Sequence, residues 1–215
     1  MSCFRVRDLG LLPYQTAFDI QVETVDQVQA KAAPNTLLLV EHPPVITLGA
    51  NFHAENLLYS IEWYAEHGID VQKTGRGGDV SYHGPGQLVA YPIFSLEASG
   101  RDLHKWLRHL EQAVIVALAA FDISGTRMAP HTGVWVQDRK ICAMGIKVRR
   151  WVSMHGLALN CNVDLRAFES IIPCGIKQFG VTSLSEELER DVPVREAKPA
   201  LVSGFETVFN SANYT

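Results

Sequence analysis

The chain has 215 residues, 47% of them hydrophobic and 20% charged, the balance expected of one globular domain spanning residues 1–215. Its formal net charge of −4 gives no global field favouring nucleic acid, and no run of about 18 apolar residues marks a membrane span. Its four cysteines, Cys3, Cys142, Cys161 and Cys174, form no CxxC pair, which disfavours a zinc knuckle or a thioredoxin-like motif. No metal or cofactor is expected. The first residues lack a charged start followed by a long apolar run, so a reducing cytoplasmic setting with free thiols is expected.

Tyr14, Phe18, Val22 and Val25 recur at helical spacing behind Pro13, a good first-turn residue. Thr36 to Glu41 is an apolar run closed by His42-Pro43-Pro44 and reads as a buried strand; Val45 to Leu48 reads as another. Ser60 to His67 predicts a short helix stopped by Gly68. Asp70 to Lys73 and Leu88 to Phe94 read as strands flanking a glycine-rich segment, Gly75 to Gln87. The clearest helix runs from Asp102, a plausible N-cap, to Ala120, with Leu103, Trp106, Leu107, Leu110, Val114 and Leu118 on one stripe. Three strands follow, Gly133 to Gln137, Ile141 to Val148 and Met154 to Asn160, with Asp138-Arg139 turning between the first two. A helix carrying Phe205, Val208 and Phe209 closes the chain. Consecutive strands without strict βαβ alternation favour an α/β (α+β) domain, a mixed and largely antiparallel sheet flanked by helices. No GxGxxG opens a helix after a strand, which disfavours dinucleotide binding.

Four segments can carry chemistry. The glycine-rich one holds five of the sixteen glycines in thirteen residues, which lets backbone approach a ligand while Arg76, Tyr82, His83 and Gln87 converge on it. Lys140 starts a strand of apolar and small residues; taken alone it reads as a solvated edge charge, as do Lys147, Arg149 and Arg150. His155-Gly156-Leu157-Ala158-Leu159-Asn160 offers small residues against which a thin ligand could lie, and otherwise reads as a buried strand with a satisfied histidine. Cys174 sits between Pro173 and Gly175, in a turn that would project its thiol beside free N–H groups. Cys142 and Cys161, inside strand-like runs, read as inert core thiols.

Together these segments resemble the octanoyltransferases that load lipoyl domains. The resemblance runs through Glu41-His42-Pro43-Pro44-Val45 with Thr47-Leu48-Gly49, Arg76 to Gln87 with Tyr91-Pro92, and Gly133-Val134-Trp135-Val136. It continues through Lys140-Ile141 with Gly145, His155-Gly156 with Ala158-Leu159-Asn160, Pro173-Cys174-Gly175-Ile176, and Val181-Thr182-Ser183-Leu184. It spans nearly the whole chain in order. Ser81 and Ala90 stand where Thr and Gly are common, and both keep a small side chain.

The resemblance implies a fold similar to biotin and lipoate protein ligases, an acyl-enzyme on Cys174, and Lys140 as its acid/base partner. It implies substrate contacts from Arg76, Gly77, Gly78, Asp79, Val80, Ser81, Tyr82 and His83, from Ala143, Met144 and Gly145, and from Gly156, Leu157 and Ala158. The implied donor is octanoyl-acyl carrier protein. The implied acceptors are lipoyl domains of 2-oxoacid dehydrogenase E2 subunits and the glycine cleavage H protein. His83 and His155 are read equally as carbonyl-positioning or structural residues. The rival readings are an ATP-dependent lipoate or biotin-type ligase, which needs no nucleophilic cysteine, a non-catalytic acyl- or carrier-binding module, and a cysteine hydrolase.

Overall fold

Five of the six residues of Thr36–Glu41 (β2) are buried, as an apolar run that must be covered on both faces requires. The computed structural model, which describes residues 3–97, 100–172 and 179–210, puts this strand inside the larger of two sheets. A parallel strand, β1 (Arg5–Leu11), lies on one side of it. On the other is an antiparallel partner, β6 (Gln87–Ile93), buried along its whole length. The sheet continues through β10 (Val152–Asn160), β9 (Arg139–Arg149), β8 (His131–Val136) and β7 (Thr126–Met128). A two-residue strand, β11 (Gly180–Val181), runs parallel to β9. The smaller sheet has β3 (Val45–Leu48) between β4 (Asp70–Lys73) and β5 (Val80–His83). Antiparallel pairings predominate, with parallel exceptions at β1/β2, β3/β4 and β9/β11.

One face of the large sheet is covered by α3 (Leu103–Ala119) and, beyond the short α4 (Leu184–Leu188), by α5 (Val194–Phe209); Trp106, Leu110, Phe205 and Phe209 of α3 and α5 share a core with Leu37, Leu88 and Leu157. Asp102 caps α3, accepting from the amides of His104 and Lys105. Ser60 caps the short α2 (Ile61–Glu66). The opposite face is covered by α1 (Tyr14–Gln29), which packs on Leu38, Val89, Tyr91 and Ala158. No helix among the described residues is long and apolar enough to cross a membrane.

Several boundaries differ from the sequence expectation. The buried face of α1 is Tyr14, Ala17, Gln21, Val25 and Val28, with Phe18 and Val22 only partly covered. The helix is thus rotated toward a polar residue, Gln21, which finds a partner on β10. The glycine-rich segment is not one continuous loop: Val80–His83 pairs with β3, because its alternating side chains fill a third core of Ile46, Leu48, Tyr64 and Phe168. The turn between β8 and β9 is Gln137-Asp138, one residue earlier than expected, and Gln137 adopts a left-handed φ of 55° there. The strand β1 and the first half of α5 gave no expectation in sequence.

Candidate active site

A cavity of about 480 Å³, counting its open mouth, lies between the α1 face of the large sheet and strand β5. Strand pairing builds its wall. Val89 on β6 stands opposite Ala158 on β10, and Ala158 opposite Ala143 on β9, so three small or apolar side chains form one smooth patch. Next to it Gly156 stands opposite Gly145. A Cβ at Gly156 would lie 2.3 Å from the Ala90 carbonyl oxygen, so any other residue would push β10 off β6. The lining is completed by Tyr14, Arg76, Gly78, Ser81, His83, Tyr91, Met144, His155 and Leu157.

Arg76 is buried and tied down. Its Nε and Nη2 donate to Thr47 Oγ1 at 3.1 and 2.9 Å, Nη2 also to the Thr47 carbonyl, and Nη1 to the Gly77 carbonyl at 3.1 Å. The loop it holds is pinned to β9 by the Gly77 amide, which donates to the Ile146 carbonyl at 2.8 Å. Because the Thr47 hydroxyl accepts from Arg76, its own proton is available to His83 Nε2, 3.2 Å away. His83 Nδ1 then donates to Gln87 Oε1 at 2.7 Å, since the Gln87 amide nitrogen is already committed to Asn160 Oδ1 and the Tyr82 carbonyl. Asn160 donates on to the Thr182 carbonyl, and the Thr182 amide donates to the carbonyl of Lys140. These partners assign a neutral His83 with its proton on Nδ1. Burial, with His42 adding to it, pushes its pKa down to about 3. Burial does the same to His155, also to about 3, with Arg76 and Lys147 contributing. His42 is lowered by burial too, and donates from Nδ1 to the Leu12 carbonyl while accepting from the Tyr91 hydroxyl at 2.8 Å. The imidazoles around this cavity are therefore neutral at pH 7.

Lys140 is not a solvated edge charge. Strand β9 has neighbours on both sides, the residue is only 8% exposed, and Nζ lies 4.8 Å from the centre of the Trp135 ring. Gly133 makes room for it: its φ is 122°, and a Cβ there would lie 2.6 Å from the Cys142 carbonyl oxygen and 3.5 Å from Lys140 Cε. Lys140 opens onto a second cavity with Leu107, Pro130, His131 and Gly77, and this cavity shares Gly78, Met144 and Gly145 with the first. The two cavities thus adjoin along Gly78, Met144 and Gly145.

Cys174 lies outside the described residues, as does the rest of 173–178. The residues flanking that segment are described. The Ile172 amide donates to the Asn56 carbonyl, beside the loop that Asp79 organises. Phe179 packs on Trp135, the ring under Lys140, with centroids 5.5 Å apart, and Val181 pairs with Lys140 itself. Of the other residues expected at the site, Arg76, Gly78, Ser81, His83, Ala143, Met144, Gly145, Gly156, Leu157 and Ala158 line the first cavity and Gly77 the second. Val80 and Tyr82 face the third core. The Asp79 carboxylate receives His53 Nδ1 and Asn56 Nδ2 at 2.8 and 2.7 Å and shapes the loop from beneath. Tyr14 and Val89 line the cavity without having been singled out in sequence, each reading as an ordinary core residue, and Tyr91 entered only through the Tyr91-Pro92 motif of the resemblance. Cys142 and Cys161 are buried, and burial raises both thiols, Cys161 to about 12. Neither is a nucleophile. Among the described residues no three His, Cys, Asp or Glu side chains are grouped to hold a metal.

In this sheet arrangement a cavity with an apolar patch adjoins a buried lysine. Residues 13–206 match the lipoyl protein ligase A/B catalytic domain, and the chain belongs to that family. A lipoate-protein ligase A bound with ATP superposes with a TM-score of 0.80 over 100% of this chain and 91% of its own, at 16% identity. The biotin protein ligase of Aquifex aeolicus superposes at 0.55 over 99% of this chain and 72% of its own, at 13% identity; both show the shared fold. Within the family, an octanoyltransferase of Rubrobacter xylanophilus is 48% identical over 201 residues, 93% of this chain and 90% of the relative. The chain is an acyltransferase of the octanoyltransferase group.

Proposed function

We propose that this chain moves an octanoyl group from octanoyl-acyl carrier protein to a lysine of a lipoyl domain, through a thioester on Cys174. The observation that carries the reading is the position of Lys140: buried against Trp135, at the wall of an apolar cavity, and paired with the strand that follows the Cys174 segment. An octanoyl chain gains about 0.8 kcal/mol per methylene buried in such a cavity.

The proton inventory closes. An ammonium beside a thiol favours the thiolate, so the resting pair is Cys174 thiolate and Lys140 ammonium. The thiolate attacks the donor thioester carbonyl. The tetrahedral intermediate collapses by breaking the bond to the carrier sulfur, which leaves with the Lys140 proton. The exchange is thioester for thioester, so no nucleotide is consumed. The acceptor lysine, entering as the free amine, attacks octanoyl-Cys174, and the neutral Lys140 amine takes a proton from its nitrogen. Loss of the Cys174 thiolate leaves an amide and restores the resting pair. Formation of the more stable amide drives the second half. All of residues 1–215 act as one catalytic unit in this scheme.

Incubation with octanoyl-acyl carrier protein should raise the enzyme's intact mass by one octanoyl group, and Cys174→Ala should abolish the adduct. Lys140→Ala should slow both half-reactions by roughly 10²–10⁴-fold, the usual worth of a positioned acid/base, with the fold retained. Transfer supported by free octanoate and ATP, with no enzyme adduct, would replace this reading with an adenylate-forming ligase.

A further inference from the structure

One end of the cavity is polar, and its polarity is unspent. His155 is only 2% exposed, lines the cavity, and has no hydrogen-bond partner at Nε2 among the described residues. Gln21, fully buried behind it, accepts at its side-chain oxygen from the His155 amide at 2.8 Å and has no partner at Nε2 among the described residues. The Tyr14 hydroxyl stands 3.5 Å from His155 Nδ1, too far to be a strong bond, and also lines the cavity.

This arrangement is held against a backbone preference. His155 has φ 56° in the middle of β10, where a strand residue would be extended. The left-handed turn breaks the alternation of the strand. Met154 and Ala158 face α1 as the period of two requires, and His155 joins them, with its ring stacked on Phe18 of α1 at 5.8 Å. A non-glycine residue in this region persists where the surroundings over-determine it, and such residues gather at ligand sites.

The position of this end is defined by what lies between it and the amine. Along β9 and β10 the order from Lys140 is the patch of Ala143, Ala158 and Val89, then the Gly145 and Gly156 pair, then His155 opposite Ile146; Gly78, Met144 and Gly145 line both cavities, and Tyr14 and His155 only the first. An acyl chain attached near Lys140 and lying on that patch points its terminal methyl at His155.

We propose that His155, with Tyr14 beside it and Gln21 behind, is the floor that measures the acyl chain. The inference rests on the acyl-transfer reading above and names its specificity determinant. The floor works by shape. The His155 ring is buried, packed on Phe18 and carried by a left-handed backbone within β10. A chain long enough to press against it must overpack that ring, which is destabilising, whereas a chain that ends short of it lies on the patch of Val89, Ala158 and Ala143. Because His155 is neutral at neutral pH, it excludes a longer alkyl chain without attracting an anion.

The test is a competition. Octanoyl-, decanoyl- and dodecanoyl-acyl carrier protein are supplied together at equal concentration with a lipoyl domain, and the acylated domains are counted by mass. The wild type should yield mainly the octanoyl product. His155→Gly removes the imidazole at a position whose φ glycine adopts freely, and should raise the decanoyl-to-octanoyl ratio at least about tenfold, the lower bound for one methylene of discrimination in an apolar pocket. His155→Asn, which tolerates left-handed backbone, reports should the glycine variant not fold, and should shift the ratio the same way by less. An unchanged ratio in folded variants overturns the floor while leaving octanoyl transfer standing. Absence of transfer of any chain length by the wild type overturns the transferase reading itself, and the floor with it.

Discussion

Two histidines share this cavity, are held to a pKa near 3 by burial, and are otherwise opposites. Around His83 both ring nitrogens are used, Thr47 and Arg76 stand on one side, and Gln87 and Asn160 lead away on the other to the backbone of Lys140. Around His155 one ring nitrogen has a weak contact, the other has no partner among the described residues, and the backbone is turned into a conformation it resists. A satisfied polar network rigidifies its surroundings, whereas an unpaired buried polar group is costly. The His83 corner is thus scaffolding for the strand that carries Lys140, and the His155 corner is the one the proposal assigns to the acyl chain.

That contrast can be broken in four places. The largest effect is on pH. Both histidines have folded pKa values below the ordinary 6.5, so the unfolded chain binds more protons between pH 6.5 and pH 3. Their contribution to stability is fully present above 6.5 and is lost as pH falls toward 3. At pH 5 the loss should be on the order of 2 kcal/mol for each histidine relative to pH 7, read as a fall in the urea midpoint. A flat midpoint between pH 7 and 5 would mean the imidazoles are not buried neutral. Next, His83→Ala strands Gln87 Oε1 and the Thr47 hydroxyl and should cost about 3 kcal/mol, from one to three for each buried group left unpaired. His155→Gly should change stability by no more than about 1 kcal/mol, because relief of the backbone offsets the lost ring contacts, and it should flatten the pH dependence by one proton. Equal costs for His83→Ala and His155→Gly would erase the distinction. Smallest is Tyr14→Phe: it removes the long 3.5 Å contact to His155 and a side-chain hydrogen bond with Thr74, and a change of about 0.5 kcal/mol, the low end for one hydrogen bond, is expected in thermal melts.

The same two corners show what the residues disclose in sequence and what they conceal. The elements of the large sheet were legible from Thr36 to Glu41, from Leu88 to Phe94 and from Met154 to Asn160, because buried strands leave uninterrupted apolar runs. The chemistry of Arg76, His83 and Gln87 was legible because polar residues set among glycines are conspicuous. Val89 was hidden by the same apolar run that revealed its strand, and Tyr91 was marked only by the family motif: β6 is buried on both faces, so alternation cannot say which residues meet a cavity. Tyr14 was absorbed into the stripe of α1. Taken alone, Lys140 reads as an edge charge because its second neighbour comes from distant sequence: at Lys140 itself β9 pairs with Trp135 of β8 on one side and with Val181 of β11, from beyond residue 179, on the other. The polar floor was invisible because a positive φ at a histidine has no compositional signature, and because Gln21 sits among apolar neighbours on a helix. Cys174 rests on its turn and on the resemblance of its motif.

The central claim is that Cys174 and Lys140 work as one acyl-relay pair, and a chase experiment tests it most directly. Enzyme loaded from octanoyl-acyl carrier protein is freed of donor, mixed with lipoyl domain, and sampled by mass over time. The account predicts that octanoyl leaves a Cys174 peptide and appears on a lipoyl-domain lysine as fast as steady-state turnover, and that Lys140→Ala slows this step. An adduct on Cys174 that persists while fresh donor still supports full turnover would contradict it.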